Sequence, residues 1–301
     1  MEAKMNNDFA KRMRNGSGFI AALDQSGGST PKALSLYGVT PEMYATESEM
    51  FDLMHEMRTR IITSPTFTSE RILAAIIFEM TMERQIDGMY TAQYLSEKKG
   101  IVPFLKIDNG LLPVQDGVAL MKDIPELDAR LTRATAYGIF GTKERSVIKE
   151  LNESGIAKVV KQQFEVARRV IDAGLVPIIE PEVDINAPEK SEIEAVLKGH
   201  LFRALSSLSS TDQIIFKLTI PTVPNFYHEL SQDSHVMRIV ALSGGYSRSQ
   251  ANSLLVQNSD LIASFSRALT EGLLITQSQS EFDAALDQSI EAIYRASTKK
   301  E

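Results

Sequence analysis

Eight short apolar runs recur along this chain with amphipathic segments between them, and that alternation restricts the possible folds more than any single motif. The runs cover residues 18–24, 74–78, 102–108, 138–143, 175–183, 213–221, 236–243 and 261–266. Each is a strand candidate, and the run at 213–221, rich in β-branched and aromatic residues, reads as a strand buried on both faces. Between the fourth and fifth runs, Ile156, Val159, Val160, Phe164, Ala167, Val170 and Ile171 follow helical spacing, and Gly174 then reads as a helix C-cap. Between the fifth and sixth, Ile193, Val196, Leu197, Leu201, Leu205 and Leu208 repeat the pattern. Strand and helix in strict alternation imply a parallel sheet. Eight such units predict an α/β fold of the closed (β/α)₈ TIM-barrel type, a single domain over 1–301, in preference to a doubly wound sheet. No G-x-G-x-x-G follows an early strand, which weighs against dinucleotide binding. The long gap between the first two strands calls for an extra helix or loop across 41–63.

One residue breaks the apolar pattern where it is most costly to do so. Lys217 lies inside Gln213-Ile214-Ile215-Phe216-Lys217-Leu218-Thr219-Ile220-Pro221. Burial disfavours an ammonium ion, so a lysine there either pairs with carboxylates or gives up its proton and becomes an amine nucleophile toward carbonyl compounds. Asp24, Glu180 and Glu182, each at the end of an apolar run, could supply the carboxylates.

In a parallel barrel the C-terminal strand ends form the active-site face. Asp24 ends the first strand, Lys106 and Asp108 the third, Lys143 the fourth, and Glu180 and Glu182 the fifth, while Lys217 falls in the second half of the sixth. Period-two alternation puts Glu180 and Glu182 on one face, and Lys106 and Asp108 on one face. Taken singly, most of these charges read as readily as solvated strand ends, and Asp108 before Asn-Gly reads as a turn residue. Their conjunction with Lys217 points to an active site.

Two further segments read as anion sites. Leu242-Ser243-Gly244-Gly245 follows the seventh strand, and Ser266-Arg267 follows the eighth, where barrels of this type frequently hold phosphate. Glycines let backbone N–H groups approach a ligand closely, although Ser-Gly-Gly is also a common turn. Ser26-Gly27-Gly28-Ser29 is a third candidate, and reads equally as the start of a helix capped by Ser29 or Thr30 ahead of Pro31.

Composition removes several function classes. Lys+Arg 32 against Asp+Glu 39 gives a net charge of −7, so nucleic acid is not an expected partner. No apolar run approaches membrane-span length and the N-terminal residues lack a signal-like apolar region, so no membrane partner is expected and a cytoplasmic location is. With no cysteine, disulfides, thiolate zinc sites and a cysteine nucleophile are excluded. His55, His200, His228 and His235 show no metal-ligand spacing; no metal and no cofactor is expected, carboxylate-bound magnesium staying open.

The motifs Ala21-Ala22-Leu23-Asp24-Gln25-Ser26, Phe104-Leu105-Lys106-Ile107-Asp108, Val176-Pro177-Ile178-Ile179-Glu180-Pro181-Glu182, Lys217, Leu242-Ser243-Gly244-Gly245 and Phe265-Ser266-Arg267-Ala268-Leu269 together resemble the class I, Schiff-base-forming fructose-1,6-bisphosphate aldolases, most closely their short bacterial branch. The resemblance implies cleavage of fructose 1,6-bisphosphate to dihydroxyacetone phosphate and glyceraldehyde 3-phosphate. It implies Lys217 as the Schiff-base lysine, Glu180 as the acid/base carboxylate with Glu182 beside it, and Asp24 as the aspartate that orients the lysines. Lys106 and Lys143 match lysines that contact substrate, with Lys143 counted in the catalytic set. Ser243, Gly244, Ser266 and Arg267 match the site for the ketone-side phosphate. Gly245, Arg145, Ser26 and Ser29 complete the expected substrate-binding set. Vertebrate-type relatives carry a glutamate and an arginine where this chain has Gln25 and Ala33, and a tail ending in a functional tyrosine where this chain has only a last helix containing Tyr294.

The chemistry suits a β-hydroxy ketone: the iminium on Lys217 withdraws electrons, so breaking the adjacent C–C bond leaves a neutral enamine. It requires Lys217 to be partly unprotonated, an effect expected from burial and from Lys143, and it requires burial to raise the Glu180 carboxyl toward neutral pH. A transaldolase or other Schiff-base aldolase, a barrel that binds sugar phosphates without turnover, and a metal-dependent aldolase are the competing readings. Sugar phosphates are the expected small-molecule partners in each case, and a homo-oligomer is compatible with all of them.

Overall fold

Eight parallel strands close into a ring in the computed structural model, which describes residues 2–300. They are β1 (Phe19–Leu23), β2 (Ile72–Phe78), β3 (Val102–Lys106), β4 (Gly141–Ile148), β5 (Val176–Val183), β6 (Ile214–Thr219), β7 (Val236–Leu242) and β8 (Leu261–Phe265). Each pairs with its neighbours in chain order, β3 with β4 included, and β8 pairs with β1, so the barrel has no free edge. The eight apolar runs therefore correspond to the eight barrel strands.

Helices cover the outside. α1 (Glu2–Asn15) precedes the first strand, and α2 (Thr30–Leu36) and α3 (Glu47–Thr63) fill the long first connection. α4 (Leu127–Ala136), α5 (Glu153–Asp172), α6 (Lys190–Leu205), α7 (Arg248–Leu255) and α8 (Gln279–Thr298) follow β3, β4, β5, β7 and β8. α5 begins at Asn152, whose side chain accepts from Gly155 N–H, and ends before Gly174, whose φ of +78° stops it as the sequence indicates. Leu208 lies beyond the end of α6. No helix among the described residues is long and apolar enough to cross a membrane.

Side-chain alternation divides the core into two. Outward residues such as Phe19, Ala21, Leu23, Ile179, Phe216 and Leu218 pack under the helices. Inward residues near the strand starts, among them Ile20, Ala74, Val102, Phe104, Ile178, Ile215, Val240 and Ile262, form a separate cluster with Phe9 and Met13 of α1. The first helix thus seals the N-terminal end of the barrel. Arg238 of β7 fastens it there by donating to the carbonyls of Met13 and Gly16.

β4 differs from the expected 138–143. It runs from Gly141 to Ile148, so Lys143 is its third residue and not its last, and lies within the barrel below the rim. Gly141 is required at its start: a Cβ there would lie 2.1 Å from the Val176 carbonyl oxygen and 2.5 Å from the Phe104 ring. β4 and β5 can approach this closely only without a side chain at that position.

Candidate active site

Above the apolar floor the inward positions become ionic. Continuing each strand in steps of two leads from Ile20 and Ala22 to Asp24, from Phe104 to Lys106, from Gly141 to Lys143 and Arg145, from Ile178 to Glu180 and Glu182, and from Ile215 to Lys217. These residues line a single cavity of about 340 Å³, joined by Ser243 and Gly244 after β7, and by Ser264, Ser266 and Arg267 around the end of β8.

The pairing is specific. Lys143 Nζ lies 2.6 Å from Asp24 Oδ2 and 3.0 Å from Glu180 Oε2, and Lys217 Nζ lies 3.0 Å from Glu180 Oε1. Glu180 therefore has a lysine on each oxygen. The contact with Lys143 is a close charge pair and not an aligned hydrogen bond, since Glu180 Oε2 has no hydrogen-bond partner. Lys217 is only 4% exposed at the base of the cavity. Its neighbourhood is held from outside: Gln163 of α5 donates to the Glu180 carbonyl at 3.0 Å, and Thr219 Oγ1 bridges the backbone of Val183, accepting from its N–H and donating to its carbonyl.

The charges set the protonation states. Burial alone would push the Glu180 carboxyl up, but Lys143, Lys217 and Arg145 outweigh it and hold the group below its ordinary value. This reverses the expectation that burial raises Glu180. Asp24 behaves likewise, burial being overcome by Lys143, Lys217 and Lys106. Burial opposes the charge on Lys143, yet Asp24 and Glu180 raise its pKa well above the usual lysine range. Glu182 is the raised carboxyl of the pair, pushed up by burial and only partly opposed by Arg145, which donates to it at 2.9 Å.

Lys143→Met should destabilise the fold by about 3–5 kcal/mol at pH 7, because it leaves Asp24 and Glu180 as buried carboxylates without their shared cation. Carboxyls held low in the folded state contribute stability that is present above their unfolded pKa of about 4 and is lost as pH falls through the folded value. The gap between variant and wild type should accordingly narrow in acid. Urea unfolding at pH 7 and well below the unfolded carboxyl value of about 4 tests this; a gap that widens in acid would show that Lys143 is not what holds these carboxylates ionised.

At one end of the cavity Gly244 has φ +60° and no room for a side chain, since a Cβ would lie 2.5 Å from Ile185 Cγ2. The neighbouring Gly245 faces the Arg267 guanidinium, which lies 3.6 Å from the place a Cβ would occupy. Ser243, Gly244, Ser266 and Arg267 share this part of the cavity wall, with Gly245 adjoining Arg267. At the other end, Lys106 pairs with Asp108 Oδ1 at 3.3 Å and donates to Ser26 Oγ. Ser29 lines the cavity, whereas Ser26 reaches it only through Lys106. The Ser26–Ser29 pair also closes a short 3₁₀ turn, with Ser26 N–H donating to Ser29 Oγ and Ser29 Oγ to the Ser26 carbonyl. Asp108 fills both roles open to it, because it also accepts from Gly110 N–H in a turn.

Sequence reasoning did not place Lys32, Leu36 or Ser264 in the cavity wall. Lys32 and Leu36 belong to α2, whose position over the mouth depends on how the long first connection folds, and no local signal encodes that. No group of three or more His, Asp or Glu side chains among the described residues is arranged to hold a metal ion.

A family model for class I fructose-bisphosphate aldolase matches residues 6–217, well over half of the sequence and ending on Lys217 itself. The chain belongs to this family. As a class I aldolase it is a carbon–carbon lyase that cleaves fructose 1,6-bisphosphate through a lysine Schiff base. Among solved structures, the fructose-bisphosphate aldolase of Plasmodium falciparum, determined with TRAP and a small-molecule inhibitor, superposes with a TM-score of 0.75 at 20% identity. That match covers 100% of this chain and 96% of the other, and establishes the aldolase barrel as the fold. The Ser243–Gly245 and Ser266–Arg267 segments lie beyond the family match, so their function rests on geometry.

Proposed function

We propose that Lys217 forms the Schiff base and that Glu180 carries the proton for it. The observation that supports this most is the shared position of Glu180, 3.0 Å from Lys217 on one oxygen and 3.0 Å from Lys143 on the other. Transfer of the Lys217 proton to Glu180 leaves a neutral amine and a carboxylic acid within contact distance. The amine adds to the substrate ketone to give a carbinolamine. Glu180 returns the proton to the carbinolamine hydroxyl, water leaves, and the iminium forms. Glu180, a carboxylate again, accepts the C4 hydroxyl proton as the C3–C4 bond breaks, and the electron pair flows into the iminium to give the enamine. Lys143 and Asp24 keep the local charge balanced through these transfers, and Glu182 with Arg145 borders the path of the leaving aldehyde.

The ketone-side phosphate fits Ser243, Gly244, Ser266 and Arg267, which share one cavity wall, with Gly245 beside the Arg267 guanidinium. The second phosphate fits Lys106, Arg145 and Ser29, with Lys32 at the mouth. Ala33 stands where vertebrate-type relatives have an arginine; with Gln25 it supports assignment to the short bacterial branch. A cytoplasmic location, and an assembly of identical chains in solution, belong to the same reading.

Borohydride with dihydroxyacetone phosphate should inactivate the enzyme irreversibly and add one substrate-derived mass to the peptide containing Lys217. Labelling of a different lysine, or loss of activity on chelation, would overturn the assignment. Arg267→Ala should raise KM for fructose 1,6-bisphosphate by roughly 10–100-fold, the range of a lost charge-assisted contact, and Arg267→Lys should restore only part of it. Unchanged kinetics toward phosphorylated substrates would place the phosphate elsewhere.

A further inference from the structure

Arg58 on α3 is only 2% exposed, and no carboxylate among the described residues lies within ion-pair distance of it. Burying a guanidinium without a counter-ion is costly, so neutral acceptors must compensate. Its Nη1 donates to Thr81 Oγ1 at 2.6 Å, and its Nη2 donates to the Gln25 carbonyl and lies 3.4 Å from Gln25 Oε1. Burial lowers its pKa to about 10, a shift that Asp24 opposes, so it stays charged at neutral pH.

A guanidinium has donors and no acceptor, which fixes the amide of Gln25 with its oxygen toward Arg58 and its nitrogen away. That nitrogen, Nε2, donates to Ser266 Oγ at 2.8 Å. A serine hydroxyl holds one proton. With its oxygen already accepting from Gln25, Ser266 has that proton free, and both residues line the cavity next to Arg267.

We propose that Arg58 and Gln25 are positioning residues that make the Ser266 hydroxyl a hydrogen-bond donor toward a bound phosphate. The chain Arg58, Gln25, Ser266 runs in one direction, each member donating to the next, and it ends on the anion. The inference rests on the assignment of the ketone-side phosphate to Ser266 and Arg267. A glutamate at position 25 would reverse the last link: a carboxylate only accepts, so Ser266 would donate to it and present lone pairs and a nearby negative charge to the phosphate. The same glutamate would give Arg58 a counter-ion, so recognition should weaken without loss of the fold.

The test compares Gln25→Glu and Arg267→Ala for kcat, KM toward fructose 1,6-bisphosphate and competitive inhibition by inorganic phosphate, with unfolding followed alongside. Gln25→Glu should raise KM and the phosphate inhibition constant together by about tenfold or more, lower kcat far less, and keep or improve stability. Gln25→Met, which removes the amide donor and adds no charge, should raise KM in the wild type and have little further effect in a Ser266→Ala background. If Arg267→Ala weakens phosphate while Gln25→Glu does not, or if Gln25→Met and Ser266→Ala are additive, the chain merely fastens α3 to the barrel and the inference fails. If Arg267→Ala also leaves phosphate binding unchanged, the phosphate assignment itself has failed and the inference with it.

Discussion

Lys217→Arg should lose cleavage of fructose 1,6-bisphosphate by on the order of 10⁴–10⁶-fold, the scale on which covalent catalysts fail when the nucleophile is removed. Arginine keeps the positive charge beside Glu180, so the variant separates charge from nucleophilicity. A guanidinium does not release its proton at any pH the protein survives and cannot add to a ketone. The substitution also leaves Glu180 with a cation, which limits the structural damage, although the larger head must fit where Lys217 is 4% exposed. Lys217→Met serves as a second variant of ordinary size. Both should bind substrate and show no adduct on borohydride reduction. Residual activity above about 1% with a trapped adduct elsewhere would move the Schiff base to another lysine, and Lys143 would be the first to examine.

Glu180→Gln should reduce turnover by about 10²–10⁴-fold, the usual contribution of a positioned acid/base group, and change substrate binding much less. The amide keeps the shape of the carboxylate and cannot take the Lys217 proton. Imine accumulation in rapid-quench trapping should lag as well, since dehydration of the carbinolamine needs the same proton. Glu182→Gln should cost far less. The protonation states make this a demanding comparison, because Glu182 is the carboxyl that burial raises and Glu180 the one that Lys143, Lys217 and Arg145 hold low. A group held low is ionised at neutral pH and so has room for the Lys217 proton. The same shift makes it the weaker base of the two carboxylates, which is why Glu182→Gln is the necessary control. The contribution of Glu180 to activity should persist above the ordinary carboxyl range and fade only as pH falls through the lower folded value. Normal turnover in Glu180→Gln with a crippled Glu182→Gln would transfer the proton carrier to Glu182.

What the sequence revealed and what it hid follow from one distinction. Periodicity reports which side of an element is apolar, and so the eight strands, α5 and α6 are legible from their aliphatic spacing. It fails where the interior is not apolar. The middle of β4, Lys143-Glu144-Arg145-Ser146, reads as a polar loop because charges occupy both of its faces, although the segment is mostly buried. The sequence therefore sets Lys143 at a strand end, where the structure has it third of eight residues. The charge state of Glu180 is hidden on similar grounds: burial can be inferred from one strand, but the two lysines that outweigh it come from β4 and β6. Arg58 was invisible, since an arginine on a helix reads as a solvated face until the helix is docked. The Lys217 signal survived because its own strand supplied the contrast.

The barrel is apolar below and ionic above, and α1 closes the apolar end with Phe9 and Met13. That floor is apolar, so hydrogen on Glu180, Lys143 and Lys217 should exchange with bulk solvent from the cavity side, and a ligand that fills the cavity should slow that exchange.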